Sequence, residues 1–515
     1  MGNQHKPTPS KTPELQSAIE YYWKMKRNDK FILEQLKKHH IDLSRYGLEI
    51  KAFRKIREHF GFFRVRKQGH TVETIGDAVA RIRVIYPKAG GRDMVNLLFN
   101  EENMMVSSGI VMEFFHRFEP DLVRERCHGH FKRKQFWAAG VNNLWAVDQH
   151  DKWKYKFGLA LHTGIDPFIG YIHWMKIWWN NSNPCLILSY YLDAIQELQF
   201  IPLVSQSDPG SETVRIANGH TTLRHLHDPN LAGTSQHRYM RKKKNVMPEI
   251  TWSMMRRRFT PGFENILDEG VNNGWYDTGN LLQALVFRWV FIRWLQAELE
   301  GYQNRVNMTA KRQDRNKILP HGVPQHMLEY PEEYAVLDFK IKVQQQHIDA
   351  VRQEYASPDH DIFNLVPPDF DALISGFYQE IGKPAVNRET CWEIYHQLLD
   401  RFEHLEEIHN MESNVDELWG FALIQAEDQY LNEIQPILNL RPLWGDEDIV
   451  GFYVGGVNGG EGLDDGHQAH LQQLVNDVEP NVPGAAGNND NDNEVVQAWF
   501  SDEEGPEDLA AADEW

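Results

Sequence analysis

Cysteines, long apolar runs and, towards the end of the chain, basic residues are scarce in this sequence of 515 residues. The three cysteines, Cys127, Cys185 and Cys391, lie far apart with no CxxC spacing, so we expect neither a disulfide framework nor a zinc cluster. No stretch approaches the ~20 apolar residues of a membrane span, and the polar N-terminus lacks the apolar segment of a secretory signal. These absences predict a soluble intracellular protein in a reducing compartment.

The acidic balance of the chain is confined to its C-terminal part. No Lys or Arg follows Arg441, whereas 18 acids lie between Asp446 and Glu514, so nearly all of the formal net charge of −19 belongs to this part. Residues 455–515 are rich in Gly, Asn and acid and have too little apolar surface to offset the entropy of ordering them. We expect an acidic disordered tail, which either keeps the protein soluble or imitates a polyanion that competes for a basic groove.

The length of the chain predicts three or four domains, and helical patterns occupy the first of them. After an unstructured segment, 1–12, apolar residues recur three and four apart in three short stretches within 13–66 and three more within 70–123. Such triplets are typical of helix-turn-helix modules that bind DNA, although simple packing bundles have the same pattern. Ser107 or Ser108 would cap the last helix. The third helix would offer four basic side chains, Lys51, Arg54, Lys55 and Arg57.

The pattern changes after a basic connector that ends near residue 136. LWAVDQ, FGLALHTGI and GYIHWMKIWW are short segments rich in β-branched and aromatic residues, which predicts three consecutive strands. A helix at 186–200 and a fourth strand at 201–207 follow. This order predicts a mixed α/β sheet flanked by helices, and functional sites on such sheets tend to lie at strand ends.

Acidic residues stand at two of these strand ends. Asp148 ends the first strand and Asp208 follows the fourth; taken singly, either acid is explained equally well by capping or a salt bridge. If the two strands are neighbours, both carboxylates emerge together and share hard divalent cations. Glu249 is the candidate third acid, because Pro248 suits the first turn of a helix, where a carboxylate meets the positive end of the dipole.

Basic residues surround Glu249 in the sequence, which indicates a phosphate backbone lying across the acids. A solvated basic face or a nuclear import signal explains the same charges, and the import signal predicts a nuclear protein. The basic residues are Arg238, Arg241, Lys242, Lys243, Lys244, Arg256, Arg257 and Arg258.

The segment from about Leu144 to His321 resembles the integrase core of retroviral-type integrases and DDE transposases, most closely the integrase-like transposon-derived proteins of eukaryotic genomes. The resemblance rests on five stretches in order: NNLWAVDQHDKW, FGLALHTGIDPFIGYIHWMK, NNSNPCLILSYYLDAIQELQFIPLVSQSDPGSET, HRYMRKKKNVMPEITW and YQNRVNMTAKRQDRNKILPHGVP. Asn245 and Trp252 match the family pattern, whereas Pro248, Lys242 and Lys244 depart from it.

The resemblance implies a ribonuclease-H-like core at 137–310. Beyond it we expect a connector at 311–345 and, from the helical patterns of the residues themselves, a helical C-terminal region at 346–445. It implies metal-dependent DNA strand cleavage and strand transfer, with Mg²⁺ or Mn²⁺ held by three acids, Asp148, Asp208 and Glu249. DNA is then the expected partner, with a homo-oligomer acting on two DNA ends. Two alternatives remain open: a catalytically silent DNA- or chromatin-binding protein, and a ribonuclease-H-type nuclease.

Supporting roles are expected for a few neighbouring residues. His150 and Lys152 would contact phosphate or form an ordinary surface pair, and Asn304 and Arg305 would contact DNA or cap a helix. Glu212 would be an auxiliary acid near the metal site. Gly210 would permit close approach of the backbone after Asp208.

Overall fold

The structure is a computed structural model that describes residues 6–126, 138–240, 245–311, 320–409 and 441–442. Helices fill the described chain before the first strand, and the six that the sequence predicts between residues 13 and 118 are confirmed. Their bounds, with two short additional helices α4 and α8, are α1 Pro13–Lys24, α2 Asp29–His39, α3 Ile50–His59, α4 Val65–Gln68, α5 Gly76–Ile85, α6 Gly91–Glu101, α7 Ser108–Phe118 and α8 Pro120–Arg126.

Side-chain caps explain why several of these helices begin where they do. The Thr12 hydroxyl accepts a hydrogen bond from Leu15 N at 3.3 Å, and Pro13 occupies the first position of α1. At the start of α7, the cap is Ser107 rather than Ser108, since its hydroxyl accepts from Ile110 N at 3.3 Å. Each cap satisfies a backbone N–H that has no partner inside its helix.

A five-stranded sheet follows, in the order β3-β2-β1-β5-β7. Antiparallel pairing joins β3 to β2 and β2 to β1, whereas β1, β5 and β7 run parallel. The expected neighbourhood of the first and fourth predicted strands is confirmed, and β7 is an addition that the sequence patterns did not predict. The strands are β1 Leu144–His150, β2 Ala160–Asp166, β3 Tyr171–Trp178, β4 Phe200–Ile201, β5 Val204–Ser207, β6 Thr234–Ser235, β7 His237–Tyr239, β8 Ile341–Lys342 and β9 Arg441–Pro442, of which β4 pairs with β8 and β6 with β9.

The remaining described helices cover the two faces of this sheet. A π-helical turn at Arg288–Ile292 separates two of these helices, α14 and α15, which otherwise follow each other directly. The helices are α9 Lys152–Phe157, α10 Pro184–Leu198, α11 Val214–His227, α12 Val246–Arg258, α13 Thr260–Asn272, α14 Leu281–Phe287, α15 Arg293–Met308, α16 Pro324–Glu329, α17 Gln345–Tyr355, α18 Pro368–Glu380 and α19 Cys391–His409.

Alternation along β1 sends its side chains into two different cores. Trp145 and Val147 belong to a cluster with α10 and α17, whereas Ala146 belongs to a cluster with α12 to α15. Successive side chains of a strand point to opposite faces, so Asp148 shares the face of Ala146. The sheet register therefore directs Asp148 towards α12, the helix that carries Glu249.

Amide side chains of α15 form hydrogen bonds with the free backbone edge of strand β3. Asn307 accepts a hydrogen bond from Ile172 N at 2.8 Å and donates to its carbonyl at 2.9 Å. Gln296 does the same for Ile177 N and Met175 O, at 2.9 and 3.2 Å. These bonds satisfy backbone groups that would otherwise template pairing with another chain.

The two N-terminal helical triplets differ in how they pack. Helices α5 to α7 share one hydrophobic cluster with α12 to α15 and α19, whereas α1 to α3 belong to another cluster, which Phe99 of α6, Met105 and Val323 join. One of the four basic side chains that α3 was expected to offer to DNA, Arg57, is not available. It is only 3% exposed, and its Nε lies 3.3 Å from Asp29 Oδ1. A side chain buried in an ion pair is not free to bind phosphate.

Parts of the expected organisation fall outside the described residues. These parts are residues 1–5, most of the basic connector, residues 312–319 of the predicted 311–345 connector, residues 410–440 and 443–445 of the predicted helical region, and the whole acidic tail at 455–515. In the described chain, no helix combines the length and the hydropathy needed to cross a membrane.

Candidate active site

Asp148 is the partly buried centre of an acidic cluster near the end of β1, which continues to His150 rather than ending at Asp148 as the sequence predicts. One of its carboxylate oxygens, Oδ2, accepts a hydrogen bond from the indole Nε1 of Trp252 at 3.1 Å. Burial raises the pKa of Asp148 well above its usual value, and the negative charges of Asp208 and Glu249 raise it further. The three acids that lie far apart in sequence are thus electrostatic neighbours in the fold.

Asp208 reaches the cluster from the adjacent parallel strand. It follows β5, which pairs with β1 through Ala146 and Gln206, two residues before each acid. Its Oδ1 atom is buried and has no hydrogen-bond partner among the residues that the structure describes. Burial also raises the pKa of this carboxyl. A buried carboxylate oxygen with no donor is energetically costly, so this atom is suited to a cation ligand.

Glu249 approaches from the helix that covers the same face of the sheet. It lies in the first turn of α12, and α12 packs against β1. The side chain is partly buried. Because it adds to the negative potential at Asp148, the first turn of α12 faces the strand ends rather than bulk solvent.

Asn245 fixes these three elements relative to one another. Its side chain is fully buried, donates through Nδ2 to Val147 O at 2.9 Å and accepts through Oδ1 from Gln206 Nε2 at 3.0 Å. It also stands immediately before α12. One amide therefore ties the residue before Asp148, the strand that leads to Asp208 and the helix that carries Glu249.

Two further acids extend the cluster. Burial raises the pKa of Glu212, and so do the charges of Asp151 and Asp208. A Cβ on Gly210 would meet the Glu212 carboxylate at 2.1 Å, so a larger residue at this position would make the Glu212 side chain move from its place. Asp151 accepts a hydrogen bond from Asn181 Nδ2 at 2.8 Å. The auxiliary role of Glu212 stays a prediction, whereas the group that approaches Gly210 is the Glu212 side chain rather than the expected backbone, and Asp151 is an addition to the acidic cluster.

The cluster offers the carboxylate ligands that a hard divalent cation prefers, but these ligands are not placed close enough together to coordinate one. Carboxylate oxygens are the preferred ligands of Mg²⁺, and the raised pKa values mark uncompensated negative charge. No three His, Cys, Asp or Glu side chains in the described parts of the chain stand close enough together to hold a metal ion. Metal binding would therefore require the acids to draw together.

The structure places only some of the predicted basic residues near the acids. Lys152 and Arg256 are both exposed. They are also neighbours, because the pKa of Lys152 is lowered first by burial and then by the positive charge of Arg256. His150 stacks on Trp252 with ring centroids 5.2 Å apart, and burial together with Arg256 and Lys152 lowers its pKa to about 4. His150 is therefore uncharged near neutral pH, and any contact with phosphate would be a hydrogen bond rather than an ion pair.

Other basic residues of the prediction have different surroundings. Arg238 lies on β7 opposite Gln206, and Arg257 is exposed on α12. Arg305 joins α15 to the N-terminal helices, because Nη1 lies 2.6 Å from Glu101 Oε1 and Nη2 donates to the Tyr86 hydroxyl at 2.8 Å. The structure gives Arg305 a packing role, and DNA contact by Asn304, which is exposed, and by Arg305 stays a prediction. Four predicted basic residues, Arg241, Lys242, Lys243 and Lys244, are not among the described residues.

Comparison with protein families agrees with the observed sheet. Residues 136–329 match a family model described as an integrase core domain, which takes in the five-stranded sheet, the three acids and α12 to α16. The match covers less than half of the chain. It confirms the resemblance for this segment, whose mixed sheet flanked by helices is the expected ribonuclease-H-like core. A search of curated proteins found no match.

Sequence patterns did not reveal the roles of Gln206 and Asn245. Asn245 matched the family pattern, but its partners lie 39 and 98 positions away along the chain. A buried amide that bridges two strands leaves no local periodicity. The one sequence signal for Asn245 was its match to the family pattern, four positions before Glu249.

Proposed function

We propose that this protein is an integrase-like polynucleotidyl transferase that cleaves DNA strands and joins the resulting ends to another DNA. The observation that carries the proposal is the shared electrostatic environment of Asp148, Asp208 and Glu249 at the ends of two parallel strands and one helix. The integrase-core match supports the same family of reactions.

The proposed reaction needs no covalent bond to the protein. In the first step a water molecule attacks a backbone phosphorus and gives up a proton, the P–O3′ bond breaks to leave a 5′ phosphate, and the departing 3′ oxygen takes a proton to become a hydroxyl. In the second step that 3′ hydroxyl attacks a phosphodiester of the target, loses its proton, and releases the target's own 3′ hydroxyl. The number of phosphodiester bonds is unchanged in this second step, so no energy source is needed.

The acids would hold two Mg²⁺ or Mn²⁺, which, when bound, lower the pKa of an attacking oxygen and stabilise a leaving one. Trp252 and Asn245 hold Asp148 and the three acid-bearing elements in place. Lys152 and Arg256 place positive charge beside the acids, which offsets their repulsion of a DNA strand. The tandem helical modules would recognise DNA ends, in a homo-oligomer acting in the nucleus.

A catalytically silent DNA-binding protein is the second candidate. The specific observation in its favour is that the acids of the described chain are not gathered into a three-ligand group. Under this proposal the protein keeps the fold and the basic surface, and binds DNA or chromatin without cutting it.

Nicking of labelled duplex DNA by the purified full-length chain with Mg²⁺ or Mn²⁺ tests the proposal. We expect Asp148→Asn and Asp208→Asn to reduce cleavage by roughly 100-fold or more, because each removes ligand charge worth several kcal/mol in the transition state. Asp193→Asn is the matched control, since Asp193 is exposed on α10 and pairs with Arg352. Joining of a labelled 3′ end to a second duplex tests strand transfer.

Two results would decide against the proposed enzyme. Equal behaviour of wild type and both acid variants, with DNA binding intact, would favour the silent binding protein. Faster cleavage of an RNA–DNA hybrid than of duplex DNA would favour a ribonuclease-H-type nuclease.

A further inference from the structure

Arg288 is a partly buried cation that forms no hydrogen bond and no ion pair with any residue that the structure describes. Its guanidinium lies over the ring of Trp179, with Cζ 4.8 Å from the ring centroid. Burial lowers the pKa of Arg288 to about 10, and the described neighbour that opposes this shift is Tyr276 rather than an acid. A guanidinium carries five N–H donors, so this one lacks the acceptors that a buried cation needs.

Arg293, five residues further along the chain, is an arginine of the same region with an ordinary set of partners. Its Cζ lies 5.4 Å from the centroid of the Trp289 ring, and its Nη2 lies 3.6 Å from Asp371 Oδ1. The side chain is also 60% exposed to water. Both arginines therefore stack on a tryptophan, but in the described chain only Arg293 has an acid beside it.

The two members of the Arg288 stack are held in place by the backbone around them. Arg288 begins the π-helical turn that separates α14 from α15, and such turns are rare and often found at functional sites. Trp179 is fixed by its indole, which donates through Nε1 to Asn364 O at 3.1 Å. Rigid placement lowers the entropy that side chains lose when a ligand binds.

The stack lies at the same edge of the sheet as the acids. Trp178, at the end of β3, pairs with Ala160 of β2, and the next residue of β2, Leu161, pairs with His150 at the end of β1. Trp179 therefore follows a strand that ends level with β1, two strands away. Because neighbouring strands are about 4.8 Å apart, this separation is roughly 10 Å.

Lys154 links the stack to the acidic cluster. Its Nζ donates to Ser182 Oγ at 2.8 Å and to Asn181 Oδ1 at 3.3 Å, on the loop that follows β3. Its charge also lowers the pKa of Glu212. Positive charge thus continues from the acids towards Arg288 along one edge of the sheet, which suits the regularly spaced phosphates of a nucleic-acid strand.

We propose that Arg288 and Trp179 form a phosphate-binding site, which holds a backbone phosphate of the DNA strand that leaves the acidic cluster on the side of β3. The identity of the ligand as DNA rests on the proposed function. The phosphate chemistry rests on the guanidinium itself, whose planar N–H fork matches two phosphate oxygens. A separation of roughly 10 Å from β1 corresponds to about three nucleotides along one strand.

Binding of a labelled duplex by the full-length chain over a range of salt concentrations, with EDTA present to prevent cleavage, tests the inference. We expect Arg288→Met to weaken binding by roughly 10- to 100-fold at low salt, because hydrogen bonds to a charged group are lost. The slope of log affinity against log salt should fall by about one unit, as for one lost phosphate contact. Arg288→Lys keeps the charge without the planar fork and should lose less affinity.

Arg293→Met is the matched control, since it removes a neighbouring stacked arginine that already pairs with Asp371. We expect it to change DNA affinity by less than about 2-fold. Equal losses of affinity in Arg288→Met and Arg293→Met would overturn the inference, because the general positive charge of the surface would explain both.

Thermal unfolding without DNA separates a binding role of Arg288 from a packing role. Arg288→Met removes a buried cation that no described acid compensates, so its thermal midpoint should equal or exceed that of wild type. A lower midpoint with unchanged DNA affinity would overturn the inference, because Arg288 would then act only through its stack on Trp179. Arg288→Gln is the second uncharged variant and should show the same loss of affinity if Arg288→Met fails to fold.

Inorganic phosphate distinguishes the two sources of the ligand. A phosphate held by Arg288 should raise the thermal midpoint of wild type more than that of Arg288→Met. If inorganic phosphate has this effect while Arg288→Met binds DNA with unchanged affinity and salt slope, the DNA assignment is overturned and the ligand is a free phosphate.

The outcome is separable from that of the proposed function. If the acid variants cut DNA like wild type while Arg288→Met loses affinity and salt slope, the enzyme proposal fails and the phosphate site remains. If cleavage depends on the acids but Arg288→Met binds DNA like wild type, the enzyme proposal stands and the phosphate site on DNA is rejected.

Discussion

The indole Nε1–H of Trp252 donates a hydrogen bond to Asp148 Oδ2 across 3.1 Å, from the covering helix α12 to the strand β1. The same indole stacks on His150, two residues further along β1. Trp252 lies three residues after Glu249. One turn of α12 therefore carries the Glu249 carboxylate to the cluster and also orients the carboxylate of Asp148. Burial of Asp148 makes this bond valuable, because a buried carboxylate must be compensated by donors or cations.

Trp252→Phe should therefore reduce cleavage while leaving the fold intact. Phenylalanine keeps an aromatic ring against His150 but cannot donate to Asp148. A hydrogen bond to a charged group contributes about 1.5–3 kcal/mol, which corresponds to a roughly 10- to 100-fold loss in the rate of DNA nicking. Rates and thermal midpoints of the purified variant measure the effect.

Trp174→Phe is the matched control for that variant. Trp174, on β3, is as buried as Trp252 on α12, but its indole donates to His162 Nδ1 at 3.0 Å rather than to an acid. We expect a similar change in thermal midpoint with no change in nicking rate. Equal losses of nicking rate in the two variants would show that removing either buried indole hydrogen bond slows cleavage, whatever group accepts it.

Asn245→Ala should weaken metal binding more than it weakens the fold. The substitution releases Val147 O and Gln206 Nε2 and loosens the two strands and α12 from one another. Residues that orient metal ligands typically change metal affinity or activity by about 10- to 100-fold when replaced. Titration with Mn²⁺, followed by its electron-spin signal, measures the affinity without relying on turnover.

Asn183→Ala provides the comparison for Asn245→Ala. Asn183 is also buried and also stands immediately before a helix, but its side chain caps that helix, α10, by accepting a hydrogen bond from Cys185 N at 2.8 Å. Its loss should lower the thermal midpoint by a comparable amount without altering Mn²⁺ affinity. If Asn183→Ala reduces Mn²⁺ affinity as much as Asn245→Ala, the positioning role of Asn245 is wrong.

Sequence patterns predicted the elements of the site better than the contacts between them. The strand that carries Asp148 and the strand before Asp208 were predictable, because short runs of β-branched and aromatic residues bounded by polar residues are typical of buried strands, although the first strand runs two residues past Asp148. Helix α9 was missed since six residues are too few for a helical period to show. The π-helical turn after Phe287 was also missed, because tertiary packing rather than periodicity sets it.

Arg305→Ala should lower stability without lowering DNA affinity, whereas Arg256→Ala should do the reverse. Arg305 is only 14% exposed and bonds to Glu101 and Tyr86, so its loss should cost about 1–3 kcal/mol. Arg256 is exposed beside Lys152, and each lost phosphate contact lowers the slope of log affinity against log salt by about one unit. Salt-dependent DNA binding and thermal unfolding separate the two roles. A reduced salt slope in Arg305→Ala would instead show that Arg305 contacts DNA.

Lys26 should make the stability of the protein depend on pH between about 7 and 10. Burial lowers the pKa of Lys26 to about 7, although its Nζ donates to Val95 O at 3.0 Å and to Asn96 Oδ1 at 2.6 Å. Between these pH values the unfolded chain binds the proton and the folded chain does not, so stability rises with pH by up to about 1.4 kcal/mol per unit. Lys26→Met should flatten this rise in chemical denaturation at pH 7 and pH 9. Lys24→Met, on the exposed side of α1 where Lys24 pairs with Glu20, should leave the slope unchanged. A wild-type stability that is flat or falls across this range would mean that the two acceptors hold Lys26 charged despite its burial.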